Sequence, residues 1–149
     1  MNAFDYFFEK TSGFEKPFLV GKEEISFKNL YGDSVSLASW LQNRIGQNKH
    51  VFVLSHNNVF FLKAYLAIIK SGNICIPLDP VIENDNFRYI SELTQPPLIF
   101  TTHDIEKRLE LNSDICVSPE TMPPGEEVKR SKVEGLKGSG NQVLSFGYV

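Results

Sequence analysis

The sequence predicts an α/β domain: a partial doubly wound parallel sheet in the order β-α-β-α-β-α-β, preceded by a small helix and a hairpin. Three observations predict it. Val51-Phe52-Val53-Leu54 is continuously apolar, as a strand buried on both faces reads. Residues 59–70 then form a helix candidate whose only charges are Lys63 and Lys70, with Gly72 where a helix takes its left-handed C-cap. A short β-branched run at 73–76 follows, and Pro77 and Pro80 close it, because proline cannot donate to a central ladder. Together these make one parallel βαβ unit around which the rest of the chain is arranged.

The elements follow in order. Residues 3–10 suggest a short helix with Phe4, Phe7 and Phe8 on one side, broken at Ser12-Gly13. Phe18-Leu19-Val20 and Ile25-Ser26-Phe27 read as two strands of a hairpin around Gly21-Lys22. From about 28 to 45, Leu30, Leu37, Ala38, Leu41 and Ile45 recur at helical spacing. Gly32 weakens that helix by about 1 kcal/mol relative to Ala, so an irregular first turn is expected, and Gly46 ends it. Trp40 reads as a boundary packing residue. After Leu54, Ser55-His56-Asn57-Asn58 is the carboxyl end of a parallel strand, where ligands bind in open α/β sheets. Asn57 or Asn58 is the expected N-cap of the next helix, and His56 is the one histidine placed to matter. Its simplest reading is a solvated loop histidine, because no second His, Cys or carboxylate stands at catalytic or metal spacing. A second helix is expected over 83–93, capped by Asn84 or Asp85, and Gln95-Pro96-Pro97 ends it. Leu98-Ile99-Phe100-Thr101 is the third parallel strand, 104–111 a third amphipathic helix, and Ile115-Cys116-Val117 a fourth strand.

Composition shifts after residue 120. Residues 1–120 read as the folded unit. Residues 121–149 read as a linker-like tail, with Pro123-Pro124-Gly125 and Gly138-Ser139-Gly140, ending in a strand at 142–146.

Bulk properties exclude several classes. The 149 residues suffice for one domain with a real core, and 42% hydrophobic and 22% charged residues are ordinary for a globular chain. A net charge of −3 without a basic patch gives no support for nucleic-acid binding. Cys75 and Cys116 are isolated, which makes neither a disulfide framework nor a zinc site and fits a reducing, cytoplasmic setting. Cys75 reads as a buried thiol. The N-terminus lacks the basic and unbroken apolar regions of a signal peptide. The apolar run at 59–69 is interrupted by Lys63 and is well short of the roughly 20 residues that cross a bilayer.

Motifs of common catalytic folds are missing from the sequence. No glycines follow the first parallel strand, where a dinucleotide fold needs backbone to approach a pyrophosphate. Gly138-Ser139-Gly140-Asn141 lacks the Lys of a phosphate loop, only Asp79 stands at a strand end for a receiver-type site, and no Gly-x-Ser-x-Gly elbow exists.

Ala64-Tyr65-Leu66-Ala67-Ile68-Ile69-Lys70-Ser71-Gly72, followed by Ile76-Pro77-Leu78-Asp79-Pro80, resembles the AYLAxLKAG…VPLDP signature of the adenylate-forming (AMP-binding) superfamily. That superfamily holds acyl-CoA synthetases, adenylation domains of non-ribosomal peptide synthetases, and luciferases. Ile25-Ser26-Phe27-Lys28-Asn29-Leu30 is similar to the family's LTYxEL, with Asn29 in place of Glu. Val51 to Leu54 with Asn57, Phe87-Arg88-Tyr89-Ile90, and Leu98 to Thr102 resemble three further segments, so the likeness covers about residues 3–102. The Asp expected before the buried strand is absent, because Ile45-Gly46-Gln47-Asn48-Lys49-His50 has none.

The resemblance implies the N-terminal portion of an AMP-dependent ligase. Such enzymes use ATP to convert a carboxylate to an acyl-adenylate, then pass the acyl group to a thiol. ATP, Mg²⁺ and a CoA or carrier-protein thiol are implied for the complete enzyme. The sequence holds no Ser/Thr/Gly-rich loop ending in Pro-Lys and no aromatic-Thr-Glu segment for Mg²⁺, so the chain alone is expected to be inactive, with no catalytic or metal residues. The strand at 142–146 stands where the family's phosphate-loop strand would begin. Arg88 is the candidate for cofactor binding, since basic residues on this helix can contact the CoA nucleotide in relatives; a solvent-facing arginine is the plainer reading.

A stand-alone binding or interaction module that reuses this half-fold is the alternative. The helix at 59–69 is apolar nearly all round and calls for cover on two sides. A ligase fragment is expected to leave one side as a patch for self-association or a complementary C-terminal fragment. A dedicated module is expected to cover it from within, with residues 121–149 as the candidate cover. Neither reading involves nucleic acid or membrane.

Overall fold

The structure, a computed structural model, describes residues 2–20 and 22–123. It opens with α1 (Ala3–Phe8), whose first turn is closed by Asn2 accepting the Asp5 N–H at 2.9 Å. Strands β1 (Pro17–Val20) and β2 (Glu23–Ser26) then pair antiparallel as the expected hairpin. Phe27, expected in the second strand, instead begins α2 (Phe27–Ile45). Ser26 decides this, because its hydroxyl accepts the Asn29 N–H at 3.1 Å, and an N-cap outcompetes one more residue of a short hairpin. The first turn of α2 is regular despite Gly32, around which space is open, and Gly46 ends the helix at φ +77°.

The βαβ core follows as β3 (His50–Leu54), α3 (Val59–Lys70) and β4 (Ile74–Leu78). Asn58 caps α3, accepting the Phe61 N–H at 2.8 Å. At the other end Gly72 sits at φ +87°, and the Gly72 and Asn73 N–H groups return to Ile69 and Ile68 at 3.1 Å each, a Schellman closure. Then come α4 (Asn84–Thr94), β5 (Ile99–Thr101), α5 (His103–Leu109), a 3₁₀ turn (Ser113–Ile115) and β6 (Cys116–Val117). The four-stranded sheet has the order β4-β3-β5-β6 with every pair parallel, so the predicted partial doubly wound α/β fold is the observed one.

Three local expectations are corrected. The strand ending in the βαβ unit runs through Pro77 to Leu78 instead of stopping before it. β4 is the outermost strand among the described residues, and one side of an edge strand carries no ladder that a missing N–H could interrupt. Neither Asn84 nor Asp85 caps α4; Glu83 holds that place without a side-chain bond, and Asn84 reaches across to the Arg108 carbonyl at 3.4 Å. Ile115 lies in the 3₁₀ turn, leaving a two-residue fourth strand.

Side-chain alternation on β3 sends Val51 and Val53 to one face and Phe52 and Leu54 to the other, as a doubly covered strand requires. The first face packs Leu37, Ala38 and Leu41 of α2 and Phe60, Ala64, Ala67 and Ile68 of α3. The second packs Phe87 of α4 and Ile105 and Leu109 of α5. A third cluster lies outside the first layer, where Phe4 and Phe8 of α1 and Leu30 and Val35 of α2 meet Leu66 and Ile69 of α3.

That third cluster corrects the expected bare patch. No residue of α3 is exposed. Its second side is covered by α1 and α2, and Lys70 ties the layers together through Asp5 at 3.1 Å and the Phe4 ring at 5.4 Å. The predicted linker at 121–140, beyond Pro123, and the predicted strand at 142–146 lie outside the described residues.

Among the described residues, no helix is long and apolar enough to cross a membrane.

Candidate functional site: the carboxyl edge of the sheet

In the order β4-β3-β5-β6, the chain leaves β3 toward β4 through α3 on the first face and leaves β5 toward β6 through α5 on the second, so the topological switch point falls between β3 and β5. Two loops meet there. Ser55, His56, Asn57 and Asn58 leave β3; Thr102, His103 and Asp104 leave β5. Ser55 is buried, its hydroxyl donating to the His56 carbonyl at 3.0 Å, while His56 and Asn57 are exposed. Across the crevice the Thr102 hydroxyl donates to the Asp104 carboxylate at 2.5 Å. That bond is the largest cause holding the Asp104 carboxyl below its ordinary value; the N–H groups of Asp104 and Ile105 and the charge of His56 act in the same direction. The fold thus brings the loops that carry His56 and Asp104 to neighbouring strand ends, a convergence that sequence spacing did not show. The usable signal was a Thr-His-Asp run directly after the third strand.

The positive end of α3 also faces this edge and is already satisfied. Asn58 takes the Phe61 N–H, and the Glu23 carboxylate of β2 accepts the Val59 N–H at 3.1 Å. At the end of β4, Asp79 accepts the Val81 N–H at 3.0 Å. Arg108 of α5 donates to the Pro80 and Ile82 carbonyls at 2.7 and 2.8 Å and so fixes that loop. Thr101, at the end of β5, is 1% exposed, and its hydroxyl has no partner. No group of three or more His, Cys, Asp or Glu side chains converges to hold a metal ion among the described residues. The edge offers hydrogen-bonding groups, and among the described residues no hydrogen bond there joins a nucleophile to a histidine base.

Arg88, the candidate from sequence, is not at this edge. It lies on the flank of α4 that faces α5, where it lines a groove of about 310 Å³ with Asn84, Phe87, Ser91, Glu110 and Asn112. Its contact with Asp85 is 3.9 Å between two exposed groups, which contributes little to stability. Trp40 packs at the border of the first-face core with Arg44 over its ring at 5.2 Å, the boundary role expected of it.

The two thiols are free. Burial pushes Cys75 up to about 12, and burial, then the charge of Glu106, does the same for Cys116. A thiol whose folded pKa is raised stabilises the fold fully below its unfolded pKa, and that contribution is lost as pH rises toward the folded value. Stability is therefore expected to decline from about pH 9 to about pH 12, starting at the ordinary thiol value of 9.0. At pH 8 iodoacetamide should label neither cysteine appreciably in the folded chain and both in urea. Rapid native labelling of Cys75, read by mass spectrometry, would contradict its burial.

Comparison with known proteins places this architecture. Residues 8–141 match the family described as AMP-binding enzyme. D-alanine–D-alanyl carrier protein ligase of Staphylococcus aureus is 28% identical over 82 residues, covering 55% of this chain and 16% of that protein. Tyrocidine synthase 3 of Brevibacillus parabrevis is 21% identical over 96 residues, covering 64% of this chain and 2% of that protein. Among solved structures, ATP-bound MatB from Rhodopseudomonas palustris superposes with a TM-score of 0.66 at 17% identity, covering 86% of this chain and 28% of that one. The N-terminal subdomain of Klebsiella oxytoca NpsA, solved with 3-hydroxybenzoyl-AMSN, gives 0.69 at 16% identity, covering 95% and 34%. The chain spans about a third or less of the length of each of these proteins.

Proposed function

This chain belongs to the AMP-binding enzyme family, and on that premise we propose that it forms the N-terminal subdomain of an AMP-dependent acid–thiol ligase. The observation that carries the reading is the family match across residues 8–141. The complete enzyme would attack the ATP α-phosphate with a carboxylate to form an acyl-adenylate and release pyrophosphate, then transfer the acyl group to CoA or a carrier-protein thiol with release of AMP, in the cytoplasm. Stabilising charge on the transferring centre needs cations aimed at it. The described residues are not built for that. The α3 N-terminus already holds Asn58 and the Glu23 carboxylate, and no acidic cluster gathers for Mg²⁺ among the described residues. Residues 1–120 then act as scaffold, and ATP and Mg²⁺ would be held by parts of the enzyme outside the described region.

Arg88 is the proposed point of contact with the CoA nucleotide, through the groove it shares with Asn84, Ser91 and Asn112. A guanidinium with only a long, exposed carboxylate partner is free to take a phosphate. In a titration with CoA, Arg88→Ala should weaken binding several-fold; equal affinity of both proteins would remove Arg88 from the site.

The ligase reading predicts that the purified 149-residue chain gives no ATP–pyrophosphate exchange across a panel of carboxylates. Exchange above background would overturn the scaffold assignment. Reading the genomic sequence beyond the Val149 codon in all frames tests the parent enzyme directly. A Ser/Thr/Gly-rich loop ending in Pro-Lys is the expected result.

A second reading, a stand-alone interaction module, is favoured by one observation: α3 is sealed by α1 and α2 of the same chain. That sealing is what the module reading expected and counts against a fragment with one bare side of α3, while the family match across residues 8–141 keeps the ligase reading first. Lack of any phosphate-loop coding sequence downstream would favour the module.

A further inference from the structure

We propose that the groove between the 79–83 loop and the outer flank of α4 docks a separate polypeptide that presents an apolar side chain flanked by lysine or arginine. Six large apolar side chains are exposed among the described residues, and three of them, Val81, Tyr89 and Leu93, belong to this loop and helix. Tyr89 and Leu93 stand four residues apart and so share one face of α4. Val81 and Tyr89 line a groove of about 460 Å³, floored by Ile82 and Ile90, which also lean on the second-face core. Its base is therefore anchored to the sheet, and its size falls within the range of pockets that take a small ligand or a bulky side chain.

Charge selects the occupant. The titratable groups lining the groove are Asp79, Glu83 and Tyr89, and no lysine or arginine lines it. The cations nearest in sequence lie outside the groove: Arg88 lines the opposite flank of α4, and Arg108 donates to the Pro80 and Ile82 carbonyls. An apolar cleft with an acidic rim repels a second copy of itself and an anionic lipid surface, and attracts a cationic segment with an apolar anchor. This inference does not depend on the ligase reading, because it uses only the shape and charge of the described surface.

A peptide library panned against the 149-residue chain tests it, with affinities of the selected peptides measured by fluorescence anisotropy. The expected result is enrichment of peptides with a large apolar residue between lysines or arginines, with binding weakened by added salt. The double variant Val81→Ser/Tyr89→Ser should lower affinity at least tenfold, and Glu83→Gln several-fold. Both sites are exposed, and circular dichroism of each variant checks that the fold persists. Failure to enrich any peptide, enrichment without basic residues, or affinity unchanged in the double variant would overturn the proposal. So would a dimer, or binding to phosphatidylserine vesicles, that the double variant abolishes, since either would assign the groove to another occupant.

Discussion

Replacing Phe4 by alanine is expected to destabilise the domain by about 3–5 kcal/mol, the usual cost of deleting a fully buried aromatic side chain. Phe4 is completely buried, with its ring 4.9 Å from Phe8 and 5.7 Å from Tyr31 and the Lys70 ammonium above it. A loss of that size is a large share of the roughly 5–15 kcal/mol that holds a typical domain together. The consequence goes beyond stability, because Phe4 belongs to the cluster that covers Leu66 and Ile69 of α3. With it gone, the apolar helix should show the uncovered side inferred from its sequence. The variant is expected to bind a hydrophobic dye and to self-associate through residues 59–69. A urea midpoint close to wild type, with no dye binding and a monomer by sedimentation, would mean that α1 is not the seal.

The second large effect is expected at Asn73, which is 5% exposed and joins four elements at the amino edge of the sheet. Its amide oxygen accepts the Lys49 N–H at 2.9 Å before β3, and its amide nitrogen donates to the Gly46 carbonyl after α2 at 3.0 Å and to the Ser71 hydroxyl after α3 at 2.9 Å. Asn73→Ala should cost about 2–3 kcal/mol, because it removes three bonds and leaves partly buried groups unpaired. Asn73→Asp keeps the acceptor for Lys49 but loses the donor to Gly46, and should fall between the two in urea unfolding. If the alanine variant unfolds at the wild-type midpoint, the amide is not the hub that its geometry indicates.

These two residues mark the limit of reading the chain as a string. Phe4 was legible as one side of a short amphipathic helix, yet no periodicity says which element that side meets. Asn73 was read as the first residue of a strand. Its value lies in three partners drawn from 2 to 27 positions away. His56 was found at the right strand end, but Asp104 in the loop after the neighbouring strand was not, since bringing those loops together depends on β5 pairing beside β3. Pro77 misled for a related reason. Proline ends a central strand but not an outer one, and sequence alone does not say which a strand is.

The sequence by itself determined the elements, their α/β order and the family. Each of these rests on local chemistry: alternation, capping side chains, a glycine at positive φ, and a signature contained in one βαβ unit. Only the tertiary structure decided the strand order, and with it the switch point, the edge position of β4 and the flank of α4 on which Arg88 falls. It also decided that α3, apolar nearly all round, is closed by α1 and α2 of its own chain. The physical reason is that burial is a property of layers. Which surfaces meet is set by long-range packing, and a helix carries in its own residues only the demand for cover, not the identity of what supplies it.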